Sequence, residues 1–208
     1  MNIRAHLERF PFIGILRGVA PDDVVPIGRA LAAEGFTVLE VPLNSPNPFD
    51  SIRRLHDALG SSCLIGAGTV MTPEQVSKVA AAGGRLIVMP HSDPLVVRAA
   101  KAAGLICLPG VATPTEGFAA LANGADGLKL FPAEQFGPKV VKAWRAVFPK
   151  ETLLLPVGGV TPANIGDFAS AGANGFGLGS ALYAPGIDAQ EASRRARAFA
   201  DAWREMNR

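Results

Sequence analysis

The sequence predicts a parallel (βα)8 barrel of the TIM type, and three observations lead to this fold class. The 208 residues are 49% hydrophobic and 18% charged, which is typical of a globular domain with a sizeable core. Short apolar segments recur eight times, about every 23 residues, which is the length of one strand, one helix and two short loops. No change of composition divides the chain, so we expect a single domain over residues 1–208.

The strands are predicted from the apolar segments, and the helices from the amphipathic stretches between them. The strands should begin near Ile13, Val38, Leu64, Leu86, Ile106, Gly127, Leu153 and Gly175. Helical spacing is found over residues 24–34, 49–59, 73–82 and 95–103, with a leading helix over 1–9 and a final helix over 188–207. Such alternation is typical of parallel sheets, because a helix must carry the chain back between parallel strands.

The predicted helix boundaries carry recognisable capping residues. A capping side chain followed by Pro predicts four helix starts, at Thr72-Pro73, Asp93-Pro94, Thr113-Pro114 and Thr161-Pro162. A glycine directly after a helical stretch predicts five helix ends, at Gly35, Gly83, Gly104, Gly124 and Gly172. An open doubly wound sheet is the alternative fold, but the segment after the first strand lacks the GxGxxG spacing that such folds use for phosphates.

Several functional classes are not supported by the sequence. A net charge of +2 offers no basic surface for nucleic acid, and no apolar run approaches the ~20 residues of a membrane span. The histidines His6, His56 and His91 lack metal-ligand spacing, so we expect neither a metal nor a cofactor. Cys63 and Cys107 lie in apolar runs without CxxC spacing, which predicts buried free thiols and a cytoplasmic location.

Lys129 has the most unusual context of any polar residue, because it lies within an apolar strand. Strand alternation directs Leu128 and Leu130 towards the helices and Lys129 into the barrel. Burial lowers the pKa of a lysine and produces a neutral amine that can attack a carbonyl group. The alternative is a lysine in a structural ion pair, or one that reaches water at a strand end.

Glu40 occupies an equivalent position in the second strand. The same alternation directs Leu39 and Val41 outwards and Glu40 inwards, towards the predicted position of Lys129. An inward carboxyl group with a raised pKa can act as a general acid and base. A purely structural Lys–Glu pair is the alternative that the residue pattern leaves open.

Polar residues at the ends of the first and third strands are candidates for substrate binding. Arg17 closes the first strand, where its guanidinium could hold a carboxylate or phosphate. Thr69 ends the third strand after glycines at positions 66 and 68, which permit close approach of the backbone. Either residue could equally be a rim residue without a function.

The loops after the last two strands predict a phosphate site. The sequence Val157-Gly158-Gly159-Val160 follows the seventh strand, and Leu178-Gly179-Ser180-Ala181 follows the eighth. These two loops bind phosphate in many barrels of this type, and a short helix after Gly179 would direct its positive end at the anion. Tight turns without a ligand are the alternative. An amine, a carboxylate and a phosphate site together indicate metal-free carbonyl chemistry on a sugar phosphate.

These residues resemble a known family, the class I aldolases of 2-keto-3-deoxy-6-phosphosugar acids. The resemblance runs from about residue 12 to residue 183. It is carried by Gly14-Ile15-Leu16-Arg17-Gly18, Glu40-Val41-Pro42-Leu43-Asn44-Ser45-Pro46, Gly66-Ala67-Gly68-Thr69-Val70, Leu128-Lys129-Leu130-Phe131-Pro132 and the two glycine turns. Several separated motifs in the same order make the resemblance specific at the level of the family.

The resemblance implies a role for each residue. Lys129 would form a Schiff base with the substrate, and Glu40 would carry protons. Arg17 and Thr69 would bind the pyruvate-side carboxylate and its neighbouring oxygens, while the phosphate would be held by Gly158, Gly159, Gly179 and Ser180. The products would be pyruvate and glyceraldehyde 3-phosphate, and members of the family are typically homotrimers.

Two positions bear on which C4 epimer is the substrate. Phosphogluconate-type members carry Arg-Thr-Pro after the second strand and Thr before the double glycine, whereas this chain has Asn44-Ser45-Pro46 and Val157. The chain therefore resembles the phosphogalactonate-type members, with Asn44 and Val157 near the substrate hydroxyl. A phosphogluconate-type enzyme, an enzyme for both epimers and a sugar-phosphate-binding barrel without catalysis are the alternatives.

Overall fold

A computed structural model describes residues 2–206 of the chain. The described helices, numbered in chain order, are α1 Ile3–Arg9, α2 Val24–Ala33, α3 Pro48–Leu59, α4 Pro73–Ala81, α5 Pro94–Ala102, α6 Pro114–Ala122, α7 Ala133–Arg145, α8 Ile165–Ser170 and α9 Ala189–Met206. The described strands are β1 Phe12–Ile15, β2 Val38–Pro42, β3 Leu64–Gly68, β4 Leu86–Val88, β5 Ile106–Leu108, β6 Gly110–Val111, β7 Leu128–Leu130, β8 Leu154–Pro156 and β9 Phe176–Leu178. The predicted alternation of strands and helices is confirmed.

The strands form two parallel sheets. Six of them pair in the order β5-β4-β3-β2-β1-β9, and β6, β7 and β8 form a second sheet. Pro109 separates β5 from β6, and because proline has no backbone N–H it cannot continue a ladder of hydrogen bonds. The fifth predicted strand is therefore two short strands, one paired with β4 and the other with β7. The parallel α/β fold is confirmed, but the continuous eight-stranded ladder that the sequence predicts is not present in these sheets.

The two faces of the strands pack in different surroundings. The outward residues Leu39, Val41, Leu128 and Leu130 belong to the large core cluster that includes the helices. A second cluster lines the inner face and contains Ile3, Leu7, Ile13, Val38, Leu64, Leu86, Val88, Ile106, Leu108, Leu153 and Leu155. Helix α1 supplies the first two of these residues, and several of the others are the first residues of their strands. Apolar side chains thus fill the amino end of the inner face, which leaves the polar residues at the carboxyl end.

Most of the predicted helix boundaries are confirmed. The side chains of Thr72, Asp93 and Thr113 each accept a backbone N–H in the first turn of α4, α5 and α6. The glycines predicted to end helices all have φ between 70° and 105°, a range that side chains with a Cβ rarely adopt. Residues 1 and 207 of the predicted terminal helices lie outside the described part of the chain.

The helix start predicted at Thr161-Pro162 is wrong. Helix α8 begins at Ile165, three residues after Pro162. The Asn164 side chain accepts a hydrogen bond from the Thr161 N–H and donates one to the Gly159 carbonyl. These bonds hold residues 161–164 in a turn, so the first helical residue comes after Asn164.

Among residues 2–206, no helix has both the length and the apolar character that crossing a membrane requires.

Candidate active site

Lys129 lies in the middle of β7 with its side chain on the inner face. The strand pairs Lys129 with Gly110 of β6 on one side and with Leu155 of β8 on the other. Its neighbours Leu128 and Leu130 face the helices, and Lys129 itself is only 6% exposed. The orientation predicted from strand alternation is therefore the orientation that the structure has.

The surroundings of Lys129 favour the neutral amine. The Nζ atom lies 4.6 Å from the centroid of the Phe131 ring, which stabilises a positive charge by a cation–π contact. Burial nevertheless lowers the pKa of Lys129, and the charge of Arg17 acts in the same direction. The charge of Glu40 opposes both effects. Because desolvation is the largest contribution, the amine loses its proton more readily than a lysine in water.

Glu40 is buried in β2, where it pairs with Ile15 of β1 and Gly66 of β3. It is 2% exposed, and its Oε2 atom has no hydrogen-bond partner among the described residues. Burial raises the pKa of Glu40 to about 7, although the charges of Lys129 and Arg17 and the backbone of Gly68 act in the opposite direction. A carboxyl group with such a pKa can both accept and donate a proton near neutral pH.

Gly68 provides the space that the carboxyl group of Glu40 occupies. A Cβ atom built on Gly68 would lie 1.9 Å from Glu40 Oε2 and 2.5 Å from both Cδ and Oε1. These three atoms are the nearest neighbours of that position, so the absent side chain makes room for the carboxyl group. From the sequence, this glycine was expected only to permit close approach of the backbone.

We expect Gly68→Ala to displace the Glu40 side chain and to lower the free energy of unfolding by about 1–3 kcal/mol, because the added methyl group overlaps the carboxyl group. Chemical denaturation would measure this cost in the wild-type background and in a Glu40→Ala background. The cost should largely disappear in the second background, where the overlapping atoms are absent. An equal cost in both backgrounds would contradict this interpretation of Gly68.

Thr69 follows β3 and has an unusual backbone conformation. Its φ is +56°, and Thr69 and Asn47 are the two non-glycine residues with positive φ in the described part of the chain. A β-branched residue in this region is strained by about 1–3 kcal/mol, and such strain clusters at functional sites. The strain adds support to the prediction that Thr69 binds the substrate.

Arg17 and Asn44 contact each other across the loops that follow β1 and β2. Arg17 Nη1 donates a hydrogen bond of 2.8 Å to Asn44 Oδ1. Beside them, the Gly18 N–H donates to Ser45 Oγ over 2.9 Å. The first contact directs the guanidinium towards Asn44, and the charge of Arg17 lowers the pKa values of Glu40 and Lys129.

An open pocket of about 220 Å³ lies at the carboxyl end of the strands. Six of the predicted site residues line it, namely Arg17, Val157, Gly158, Gly159, Gly179 and Ser180. Lys129, Glu40, Thr69 and Asn44 do not line it. Phe131 lies between Lys129 and the residues that line the pocket, because its ring contacts Lys129 Nζ and also forms part of the pocket wall.

The two glycine turns differ in conformation. Gly158 and Gly159 have φ of +100° and +67°, which explains why glycines are needed there. The short helix predicted after Gly179 is not formed: the N–H groups of Leu182 and Tyr183 both donate to the Gly179 carbonyl in a single turn. Pro185 follows two residues later, and a proline disfavours helical conformation in the residue before it.

Glu134 is a residue of this region that sequence reasoning missed. A Cβ atom built on Gly158 would lie 3.1 Å from Glu134 Oε2, and one built on Gly159 would lie 2.5 Å from Glu134 Cβ. Glu134 is in the first turn of α7, directly after the strand that carries Lys129. An acidic residue in a first helical turn is the signal that could have drawn attention to it.

Known proteins resemble this chain in both sequence and structure. The family model described as "Aldolase: KDPG and KHG aldolase" matches residues 3–198. The chain belongs to this aldolase family. The matched range includes every residue of the candidate active site, and within residues 2–206 no group of three or more His, Cys, Asp or Glu side chains is arranged to hold a metal ion.

Two curated members of the aldolase family share nearly half of their residues with this chain. A "Probable 2-dehydro-3-deoxy-6-phosphogalactonate aldolase" of Rhizobium meliloti (strain 1021) is 48% identical over 190 residues, which are 91% of this chain and 89% of the relative. A "2-dehydro-3-deoxy-6-phosphogalactonate aldolase" of Escherichia coli (strain K12) is 45% identical over 197 residues, 95% of this chain and 96% of the relative. A solved structure described as "Native KDPGal structure" superposes with a TM-score of 0.94 and 45% identity, covering 96% of this chain and 97% of the other.

Proposed function

We propose that this protein is a class I aldolase that cleaves 2-dehydro-3-deoxy-6-phospho-D-galactonate to pyruvate and D-glyceraldehyde 3-phosphate. The observation that carries the proposal is the pair of buried groups Lys129 and Glu40 next to a pocket with two glycine turns. The names of the two relatives support the substrate. Measuring pyruvate released from this substrate tests the proposal, and binding without release would favour a sugar-phosphate-binding protein.

The reaction begins with the neutral amine of Lys129. The amine attacks the C2 carbonyl of the keto acid, and the resulting carbinolamine loses water to form a protonated imine. The imine accepts the electron pair of the C3–C4 bond when that bond breaks, so an enamine of pyruvate remains on Lys129. Because the imine acts as the electron sink, we assign the enzyme to the metal-independent, cofactor-free aldehyde-lyases.

Glu40 moves protons at each step. Its carboxyl group donates a proton to the departing hydroxyl of the carbinolamine, and the carboxylate then accepts the proton of the C4 hydroxyl as the C3–C4 bond breaks. The same group returns a proton to C3 of the enamine, and water then hydrolyses the imine to release pyruvate. A pKa of about 7 suits both directions of transfer.

The remaining residues bind the substrate. Arg17 and Thr69 hold the carboxylate of the substrate and its neighbouring oxygens. Asn44, which accepts a hydrogen bond from Arg17, and Val157 lie near the hydroxyl groups of the substrate. The phosphate is held by backbone N–H groups of Gly158, Gly159 and Gly179 and by Ser180. The location of six of these eight residues in one pocket supports a common ligand.

We also propose that the two sheets close into a (βα)8 barrel within a single domain over residues 1–208. An isolated parallel bridge between Val157 and Gly177 supports closure, because it joins the end of the smaller sheet to β9 of the larger one. We also predict that the protein assembles as a homotrimer, and sedimentation equilibrium tests the number of subunits. A cytoplasmic location is a separate prediction.

The C4 epimer preference provides a test of the substrate. We expect Val157→Thr to shift the ratio of kcat/KM for the galactonate and gluconate epimers towards the gluconate by about ten- to a hundredfold, the effect of one hydroxyl contact. Val160→Thr is the matched control, since Val160 lines the same pocket beyond the two glycines. An equal shift in both variants, or a wild-type enzyme that prefers the gluconate epimer, would contradict the assignment.

A further inference from the structure

The first turns of α9 contain two adjacent arginines that share one carboxylate. Arg194 donates from Nε and Nη2 to the two oxygens of Glu191, over 2.6 and 2.7 Å. Arg195 donates from Nε to Glu191 Oε1 over 2.7 Å. The Glu191 N–H in turn donates to Asp188 Oδ1 at the start of the helix.

Only the second of these arginines also contacts the turn after β9. Arg195 Nη1 donates to the carbonyl oxygen of Ser180 over 3.3 Å. The side chain of Arg195 is 27% exposed, whereas that of Arg194 is 71% exposed. The two arginines therefore share Glu191 but differ in their contact with the pocket wall.

Helix α9, which carries Arg195, is packed against the core and bonded to α2. Ala192, Ala196 and Phe199 are buried against the core. Ser193 and Arg197 both donate to the carboxylate of Glu34 at the end of α2. These contacts attach the helix that carries Arg195 to the core and to the end of α2.

The hydrogen bond from Arg195 to the Ser180 carbonyl restrains the orientation of the Ser180–Ala181 peptide group. The C=O of one residue and the N–H of the next point in opposite directions across a trans peptide, and the Ser180–Ala181 peptide is trans. With the Ser180 carbonyl directed towards α9, the Ala181 N–H is directed away from α9. Ser180 and Ala181 both line the pocket, and the Ala181 N–H has no hydrogen bond to any described residue.

We propose that Arg195 is a positioning residue for phosphate binding, which holds the Ser180 carbonyl so that the Ala181 N–H donates to the phosphate group of the substrate. This inference rests on the proposed function, because it assigns the phosphate to the turn after β9. Arg195 does not itself contact the ligand. Arg194 shares Glu191 and carries the same charge, so the contribution that belongs to Arg195 alone is the orientation of a peptide group.

The test compares Arg195→Met with Arg194→Met, because both arginines share Glu191 but Arg195 also contacts Ser180. Methionine is chosen because it keeps the apolar part of the side chain and removes the hydrogen bonds. We expect Arg195→Met to raise KM for the phosphorylated substrate about tenfold with kcat changed by less than about twofold, because one hydrogen bond to an anion is weakened. Arg194→Met should leave both constants near their wild-type values. Arg195→Lys, which retains one donor, should give an intermediate KM.

Two further measurements distinguish a positioning role in phosphate binding from a general loss of activity. The affinity for inorganic phosphate, measured by calorimetry, should fall in Arg195→Met and not in Arg194→Met. Because this measurement does not require turnover, it tests the positioning role even if the protein does not cleave the substrate. Trapping of pyruvate on Lys129 by borohydride should be equal in all variants. Unchanged phosphate affinity in Arg195→Met, or a parallel loss of pyruvate trapping, would overturn the positioning role.

Discussion

Replacing Lys129 with alanine should lower kcat/KM by at least about 10⁴-fold, because the reaction then has neither a nucleophile nor an electron sink. The amine is buried, and burial lowers its pKa, which favours the neutral form that attacks a ketone. No other lysine of the described chain is among the buried polar residues. A residual rate close to the wild-type value would exclude the Schiff-base mechanism.

Borohydride trapping identifies the amine directly. Reduction in the presence of pyruvate should leave a stable three-carbon adduct on the peptide that contains Lys129, and mass spectrometry would locate it. The Lys142→Ala variant is the control, because Lys142 is exposed on α7, the helix that follows β7. An adduct on another lysine, or none in the wild-type protein, would contradict the assignment of Lys129.

Replacing Glu40 with glutamine should lower kcat by about 10²–10⁴-fold, the usual contribution of a general acid and base. The wild-type kcat should be greatest near pH 7 and fall on both sides, because Glu40 must be protonated to donate to the departing hydroxyl and ionised to accept the C4 hydroxyl proton. This maximum near pH 7 should be absent in Glu40→Gln. A pH profile of kcat measures both effects.

Lys129 should remain reactive in the Glu40→Gln variant. Slow trapping of pyruvate by borohydride would separate the loss of proton transfer from the loss of the nucleophile. Glu74→Gln is a suitable control, because Glu74 is an exposed residue of α4 paired with Lys78. Retention of the pH 7 maximum in Glu40→Gln would show that another group is responsible for it.

The sequence predicted the parts of the fold that depend on local patterns. Strand alternation placed Lys129 and Glu40 on the inner face, and glycines marked the helix ends correctly. Thr161-Pro162 was misleading, because the Asn164 side chain competes for the same backbone groups. The division of the fifth strand at Pro109 was missed, since its halves pair with different neighbours.

The candidate site was predicted as a set of residues but not as an arrangement. The glycines before Thr69 were recognised, yet only the fold shows that Gly68 makes room for the Glu40 carboxyl group. Glu134 and Arg195 escaped notice, because a charged side chain on a helix gives no local sign of which distant loop it contacts. Their partners, Gly158 and Ser180, are distant from them in the chain.

The amino-acid sequence by itself determined the order of strands and helices, the inward direction of Lys129 and Glu40, and the residue types available for catalysis. These follow from the period of the strand and from capping preferences, which act between near neighbours in the chain. Only the tertiary structure decided the pKa shifts of Lys129 and Glu40 and the orientation of the turns. Desolvation and charge interactions depend on which distant segments surround a group, so the pKa of Glu40 is a property of the folded chain.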